Sequence, residues 1–436
     1  MAERIAIVGA GYAGLACAVE LADAGCHVEV FEASRTLGGR ARAVTLNGMT
    51  VDNGMHLLVG AYRETLRLMW KVGAGPIRSG PPPTGGSERA LQVQANQTVL
   101  AALRRERLRL EFPGKFKLQA PALPAPFHLA AALLMAQGLR WRDKLAALRF
   151  MRALEKCQFR LPRDITAKQL IANQPPTLRR FLWEPLCLAA LNTPVAQASG
   201  QVFLNVMRDS LAAGRAASDL LFPATDLSTL FPEPAARFIE THGGQIHRER
   251  RVGALAELEG FDQRVVAVAP YHLKALLPEI ADKLDFSWQP IATVYLQYPA
   301  GIGLPFPMLG MSSQHGQWVF DRGQLTGQHG LMAVVISGAG PWQALSHEAL
   351  GQAVQRELSA MQPNWPAPQQ RWVIEDKRAT FACTPGLVRP STITSVPSVW
   401  LAGDYVAGDY PATIEGAVRS GVIAARAILS RISTRR

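Results

Sequence analysis

Three glycines near the start of the chain, Gly9, Gly11 and Gly14, stand at the G-x-G-x-x-G spacing, and Glu32 follows 18 residues after the last of them. Each glycine answers a physical need of dinucleotide binding. Gly9 permits a tight turn, a bare Gly11 lets backbone approach a pyrophosphate, and Gly14 lets a helix pack close on a strand. The N-terminus of the helix that follows presents free N–H groups and the positive end of its dipole to phosphate oxygens, and Tyr12 and Ala13, beside Gly11, are counted with the cofactor-binding residues. An acid at the position of Glu32 accepts hydrogen bonds from the adenosine ribose hydroxyls. The flanking residues supply the required elements: Arg4 to Val8 reads as a buried strand, Leu15 to Ala24 as a helix closed by Gly25, and His27 to Phe31 as a second strand. A glycine-rich turn in an unrelated α/β fold would leave Glu32 unexplained.

Four further stretches carry the reading onward. Glu32-Ala33 is followed by Gly38-Gly39-Arg40, and Asp52-Asn53 by Gly54-Met55-His56. Gly243-Gly244-Gln245-Ile246-His247 leads to Arg251-Val252. At the other end, Ser398 to Ala402 reads as an apolar strand entering Gly403-Asp404-Tyr405, and Gly408-Asp409-Tyr410-Pro411-Ala412-Thr413-Ile414-Glu415-Gly416 opens a helix to about Arg431. Pro411 and Thr413 suit a helix start, and Ser420-Gly421 suit close packing. These motifs resemble the FAD-dependent amine oxidase and carotenoid desaturase superfamily. The resemblance implies FAD as cofactor, with Ala33, Gly39 and Arg40 near the diphosphate or flavin edge and Gly54, Met55 and His56 along the isoalloxazine ring. It further implies that Val252 touches the adenine through its backbone, that Gly403 and Asp404 meet the ribityl or phosphate region, and that Thr413 and Ile414 meet the ring.

The run Trp183 to Pro194, Ser218 to Pro223 with Asp226-Leu227-Ser228, and Ala379-Thr380-Phe381 with Thr384-Pro385-Gly386 and Arg389-Pro390 narrow the match. They resemble the squalene-associated, FAD-dependent hydroxysqualene dehydroxylases of bacterial hopanoid biosynthesis. That resemblance implies reduction of hydroxysqualene to squalene with loss of water. Hydride from reduced flavin N5 would reach the allylic carbon as the C–O bond breaks, in an apolar pocket holding a proton donor. His56, Asp409 and Tyr410 are the candidate donors, with Asp226 as an outsider. No lysine occurs from Ile291 to Met311, which argues against amine oxidation. A second complete GxGxxG is absent, so NADPH or a separate reductase is expected to deliver electrons. An FAD-dependent polyene desaturase of the phytoene type is the competing enzymatic reading. A non-catalytic prenyl-lipid binding protein on the same fold is the third, disfavoured by the intact Gly54–His56 and Pro411–Gly416 segments.

The elements that must position these residues define an α/β chain of two lobes. The expected architecture is a Rossmann-like FAD-binding domain of the glutathione-reductase type, in pieces 1–75, 230–285 and 375–436. An inserted substrate domain takes 76–229 and 286–374, with Gly- and Pro-rich exits around residues 73–86. With 436 residues, 48% of them hydrophobic and 18% charged, the chain can bury a large core. Its 46 Lys plus Arg against 34 Asp plus Glu leave a net charge of +12, which favours an anionic partner surface. Nucleic acid is not among the expected partners. Five cysteines without a Cys-x-x-Cys pair give no metal signal and suit a reducing compartment. The N-terminus lacks the basic head and long apolar run of a secretory leader, and no window approaches the about 18 apolar residues of a spanning helix. Residues 127–160 read as a helical stretch whose apolar part precedes a basic amphipathic part, suited to lining a hydrocarbon channel or resting on anionic lipid. The expected location is cytoplasmic, peripherally at the inner face of the cell membrane.

Overall fold

A computed structural model of the protein describes residues 3–73 and 102–435. The Gly- and Pro-rich stretch 74–86 lies outside them. Five parallel strands form the first sheet, in the order Gln245–His247, His27–Phe31, Arg4–Val8, Gln263–Val266, Val399–Leu401. Arg4–Val8 lies at its centre, with Ile5, Ala6 and Ile7 fully buried, as a parallel strand covered on both faces requires. The sheet thus gathers strands from three distant stretches of the chain.

The helix after the first strand spans Tyr12–Asp23, three residues earlier than the pattern suggested. Gly11 is its N-cap in extended conformation, so Tyr12 is already helical. The C-terminal helix runs Ile414–Arg435, past the expected end, because Ile428 and Ile432 remain buried against the core. The two helices touch at Gly421, where an added Cβ would stand 2.1 Å from the carbonyl oxygen of Ala13. Ser420 beside it accepts a hydrogen bond from the Gly403 N–H at 3.0 Å. A single stretch of helix therefore packs the first helix and holds the turn after the last strand.

The second sheet is antiparallel, in the order Met308–Gly310, Trp318–Asp321, Leu331–Ser337, Trp288–Gln297, Gln370–Phe381. Its long outer strand corrects one expected boundary. Residues 375–381 pair with Trp288–Ala292 in this sheet, so they sit with the second lobe, and the return to the first comes after Phe381. The stretch 127–160 also differs from one continuous helical run. It forms helices Phe127–Met135 and Trp141–Lys156. Between them Gln137 exchanges backbone hydrogen bonds with Lys117, and Gly138 has φ +81° with its Cβ position 2.0 Å from the Lys115 carbonyl oxygen. The chain leaves the helix there to meet the strand Phe116–Gln119.

One buried ion pair ties the lobes together. The Arg322 guanidinium, 2% exposed, donates from Nη1 to Asp52 Oδ2 at 3.0 Å and from Nε to Gln328 Oε1 at 2.8 Å. Asp52 also accepts from the Leu227 N–H through Oδ1, and its carbonyl accepts from the Tyr295 hydroxyl. Asp52 ends the strand Met49–Asp52, so this network fixes where Asn53–His56 begins. Removing one member of a buried pair strands the other charge, at about 3–5 kcal/mol. Arg322→Leu is therefore expected to lower stability by that amount, read as a shifted urea midpoint; a change under about 1 kcal/mol would show that the pair does not join the lobes.

Candidate active site

A cavity of about 1080 Å³ lies between the carboxyl ends of the parallel strands and the antiparallel sheet. Its polar end is built from backbone. Gly9 adopts φ +106°, and a Cβ there would stand 2.7 Å from the Ala267 carbonyl oxygen. Gly11 has open space where its Cβ would be, and Gly39 faces it with its Cβ position 3.3 Å from Gly11 Cα. The Gly38 N–H bonds to the Ala10 carbonyl at 2.9 Å. The two glycine motifs, separate in sequence, thus form one cradle at the N-terminus of the helix Tyr12–Asp23. Gly14 is off the wall and serves packing: a Cβ would meet the Gly9 carbonyl oxygen at 2.0 Å. Glu32 is held at the cavity edge by the N–H groups of Ala10 and Ser34, one on each carboxylate oxygen at 2.9 and 2.8 Å. Each oxygen keeps a lone pair for a ligand hydroxyl.

The ends of the chain meet at Arg40 and Asp404. Arg40 donates to Asp404 Oδ2 and to the Ala379 carbonyl, both at 2.6 Å. Burial pushes the guanidinium pKa down, but the Asp404 charge and hydrogen bond outweigh this and raise it. Ala33, Val252, Gly403, Tyr12 and Ala13 line the same cavity. The Tyr12 hydroxyl turns away to the Leu227 carbonyl, leaving the residue's contribution to its backbone and ring.

Gly54, Met55 and His56 form one side of the cavity, and Thr413 and Ile414 another part of its wall. His56 Nδ1 lies 3.0 Å from the Gly54 carbonyl oxygen, which assigns the proton to Nδ1. Burial lowers the imidazole pKa, with the Gly54 bond acting against it. The ring is therefore neutral at neutral pH. Thr413 Oγ1 accepts from the Gly416 N–H at 3.1 Å, capping the helix that Ile414 begins. Glu415 is fully buried and points elsewhere: it accepts from Thr65 N–H and Oγ1 and from Glu64 N–H, at the start of the helix Arg63–Lys71.

The three candidate proton donors separate. Tyr410 lines the cavity and donates its hydroxyl to Asp209 Oδ2, with the Arg419 guanidinium 4.3 Å over its ring. Burial and then the Asp209 bond raise the Tyr410 pKa, so the phenol stays protonated. Asp409, one residue away, is the correction: its side chain is 72% exposed beside Arg208, off the cavity wall. Asp226 caps the short helix Leu227–Leu230 through the N–H groups of Ser228 and Thr229.

Two cavity residues carried no sequence signal. Asp209 sits on the π-helical turn Arg208–Ala212, which aims it inward; such turns recur at functional sites. Burial pushes its carboxyl pKa up, but hydrogen bonds from Arg208 and Tyr410 win and hold it low. Thr293, on the strand Trp288–Gln297, is fully buried and lines the cavity, yet its Oγ1 has no hydrogen-bond partner among the described residues. It pairs across the sheet with Val335 and Ile374, which also line the cavity, and lies 3.8 Å from the Cβ position of Gly54. Leu108, Leu110, Met207, Met308, Trp318 and Phe320 make the surrounding wall apolar. Among the described residues no cluster of three or more metal-ligating side chains occurs, and no helix is long and apolar enough to cross a membrane.

A glycine cradle at a helix N-terminus, an acid at the cavity edge and an apolar chamber beyond fit a dinucleotide-binding protein of the two-lobed α/β class. The model of the "Flavin containing amine oxidoreductase" family matches residues 12–429, and the chain belongs to that family. It is similar to the hydroxysqualene dehydroxylase of Rhodopseudomonas palustris, 30% identical with 99% of each chain covered. It is also similar to that of Sinorhizobium fredii, 28% identical with 100% of each covered. An oxidoreductase structure from Methanosarcina mazei shares the fold at TM-score 0.68 and 16% identity, covering 97% of this chain and 100% of that one. The protein is an FAD-dependent oxidoreductase, and the open space at Gly11 and the free lone pairs of Glu32 fit that cofactor.

The neutral His56 has a consequence for stability. Its native pKa lies below the ordinary 6.5, so the unfolded chain binds the proton more readily. The stability it contributes is present above pH 6.5 and is lost as pH falls through the lowered native value. His56→Gln is expected to flatten the fall in urea midpoint between about pH 7.5 and 5.5; an unchanged slope would mean that burial does not hold His56 neutral.

Proposed function

We propose that this enzyme removes the hydroxyl of hydroxysqualene reductively to give squalene. The observation that carries the reading is the Thr293 hydroxyl, buried and unpartnered in a largely apolar wall. An unsatisfied buried hydroxyl costs about 1–3 kcal/mol; a hydrocarbon substrate bearing one alcohol offsets that cost, and a pure hydrocarbon does not. The names and full-length similarity of the relatives support the same substrate.

Bound FAD, when reduced, supplies a hydride at N5 for the allylic carbon. The chain's residues do the rest. Gly9, Gly11, Gly39 and the helix N-terminus at Tyr12 and Ala13 hold the pyrophosphate, and Glu32 with Ala33 the adenosine ribose. Gly14 keeps that turn packed, and Val252 meets the adenine. Arg40, Gly403 and Asp404 close the phosphate and ribityl region. Gly54, Met55, His56, Thr413 and Ile414 bound the ring. Thr293 binds the substrate oxygen, and Tyr410, kept protonated by burial and Asp209, donates the proton that turns the departing hydroxide into water. His56, neutral and bonded to Gly54, positions its loop. The apolar walls exclude water from a carbon that gains positive character as the C–O bond lengthens.

The cofactor is divided among residues 1–75, 230–285 and the segment after Phe381; the parallel sheet, whose strands come from these three pieces, supports this division. The substrate is held in the second lobe, against the apolar wall formed by Leu108, Leu110, Met207, Met308, Trp318 and Phe320. Electrons come from outside the chain, from NADPH or a reductase. The enzyme meets its substrate at the inner face of the cell membrane, to which it attaches peripherally.

Anaerobic incubation of the chemically reduced holoenzyme with hydroxysqualene, followed by lipid analysis, tests the reading. Squalene should appear as the flavin reoxidises. Thr293→Val should lower kcat/KM for the alcohol by about 10-fold or more, with Thr293→Ser close to the parent. Tyr410→Phe should lower kcat by about 100-fold with FAD content unchanged. Dehydrogenation of phytoene by the oxidised enzyme, with no squalene from the reduced one, would sink the proposal in favour of desaturation.

A further inference from the structure

We propose that the face built from the loop Pro121–Pro126, the helix Phe127–Met135 and the first turns of the helix Trp141–Lys156 seats the enzyme on an anionic phospholipid leaflet. Ten large hydrophobic residues are exposed among the described residues, and six lie here: Leu123, Phe127, Leu134, Met135, Trp141 and Leu145. Trp141 is 72% exposed, Phe127 63% and Met135 60%. Ala122, Pro124, Ala125 and Pro126 are exposed between them. From Ala120 to Leu139 the sequence has no Asp, Glu, Lys or Arg. Side chains of that size scattered singly over a surface need no explanation, but a contiguous patch does.

The rim of the patch decides what covers it. Arg140, Arg142 and Arg149 are exposed along its edge. Lys144 reaches the Leu134 carbonyl at 2.5 Å and lies 5.2 Å from the Trp141 ring centroid, bringing an ammonium to the seam of the two helices. The one acid of that first turn, Asp143, is buried and accepts from the Arg140 N–H at 3.1 Å. On the other side, a second pocket of about 320 Å³ is lined by Arg107, Lys117, Gln119, Gln137 and Met135. Arg107 and two amides beside an exposed methionine, with Lys117 shared with Glu111 at 3.5 Å, offer a place for a phosphate at the level where an inserted apolar surface meets the headgroups. An uncharged centre with an aromatic and cationic edge matches a leaflet in both depth and charge.

The inference deepens the reading above, since a long hydrocarbon substrate resides in the bilayer, but it stands on the surface and is tested without turnover. Full-length holoenzyme is sedimented with phosphatidylcholine vesicles, alone or containing phosphatidylglycerol. Binding should be at least about 10-fold tighter with the anionic lipid and should weaken with salt. Phe127→Ser with Trp141→Ser should lower vesicle affinity by at least about 10-fold, and Arg140→Gln with Arg142→Gln and Arg149→Gln should remove the preference for anionic lipid. Both variants should keep parental FAD content and parental turnover of detergent-dispersed substrate. Vesicle binding unchanged in the Ser variant overturns the proposal. So does a dimeric parent that this variant renders monomeric, because the face would then join two copies of the chain. Vesicle binding as expected with no dehydroxylation leaves the docking surface standing and defeats only the catalytic reading.

Discussion

Two stretches of bare backbone meet at the polar end of the cavity, and the rest of the site is arranged around that meeting. A pyrophosphate is bound best by backbone N–H groups and a helix N-terminus, which requires main chain to approach main chain without side chains between. Gly39 stands against Gly11, and Gly38 bonds to Ala10. The central strand, the first helix and Glu32 all take their positions from that turn. A side chain at Gly9 or Gly14 would collide with backbone, so the glycines are steric necessities of the parallel sheet's first connection.

The second requirement is that distant parts of the chain converge on one chamber. Arg40 and Asp404 close the N-terminal motif on the C-terminal one, while Asp52 and Arg322 fasten the hairpin before Gly54 to the antiparallel sheet. The second pair is shielded from water, where a charge tolerates little misplacement of its partner, while Arg40 in the first is half-buried. Between them the chamber is largely apolar, and its polar groups include neutral His56, the Tyr410–Asp209 pair and the unpartnered hydroxyls of Thr293 and Tyr405. Such sparing polarity suits a substrate that is nearly all hydrocarbon, since each buried polar group must find a match in the ligand.

Much of the polar end was legible in the sequence because its constraints are local. A glycine spacing, an acid 18 residues on, and a Gly-Asp before a helix each describe a turn that a few consecutive residues must make. The apolar end of the cavity was legible only in part. Asp409 and Tyr410 are neighbours in the chain, yet one faces solvent and the other the cavity. No spacing rule distinguishes them, because the direction of each side chain is set by the turn before Thr413 and by the approach of Asp209 from another helix.

What the sequence by itself determined is the dinucleotide cradle and the FAD-type motifs, together with the apolar and basic character of residues 127–160. What only the tertiary structure decided is which of these face one another. Thr293 lies in an unremarkable apolar strand, and it takes on chemical meaning because pairing with Val335 and Ile374 sets its hydroxyl on the cavity wall without a hydrogen-bond partner among the described residues. Likewise, the helical stretch 127–160 became a surface only when Gln137 bonded to Lys117 and broke it in two, leaving Phe127, Met135 and Trp141 on the outside. Short-range sterics and charge are written in consecutive residues; the partners that a buried hydroxyl or an exposed ring lacks are a property of everything packed around it.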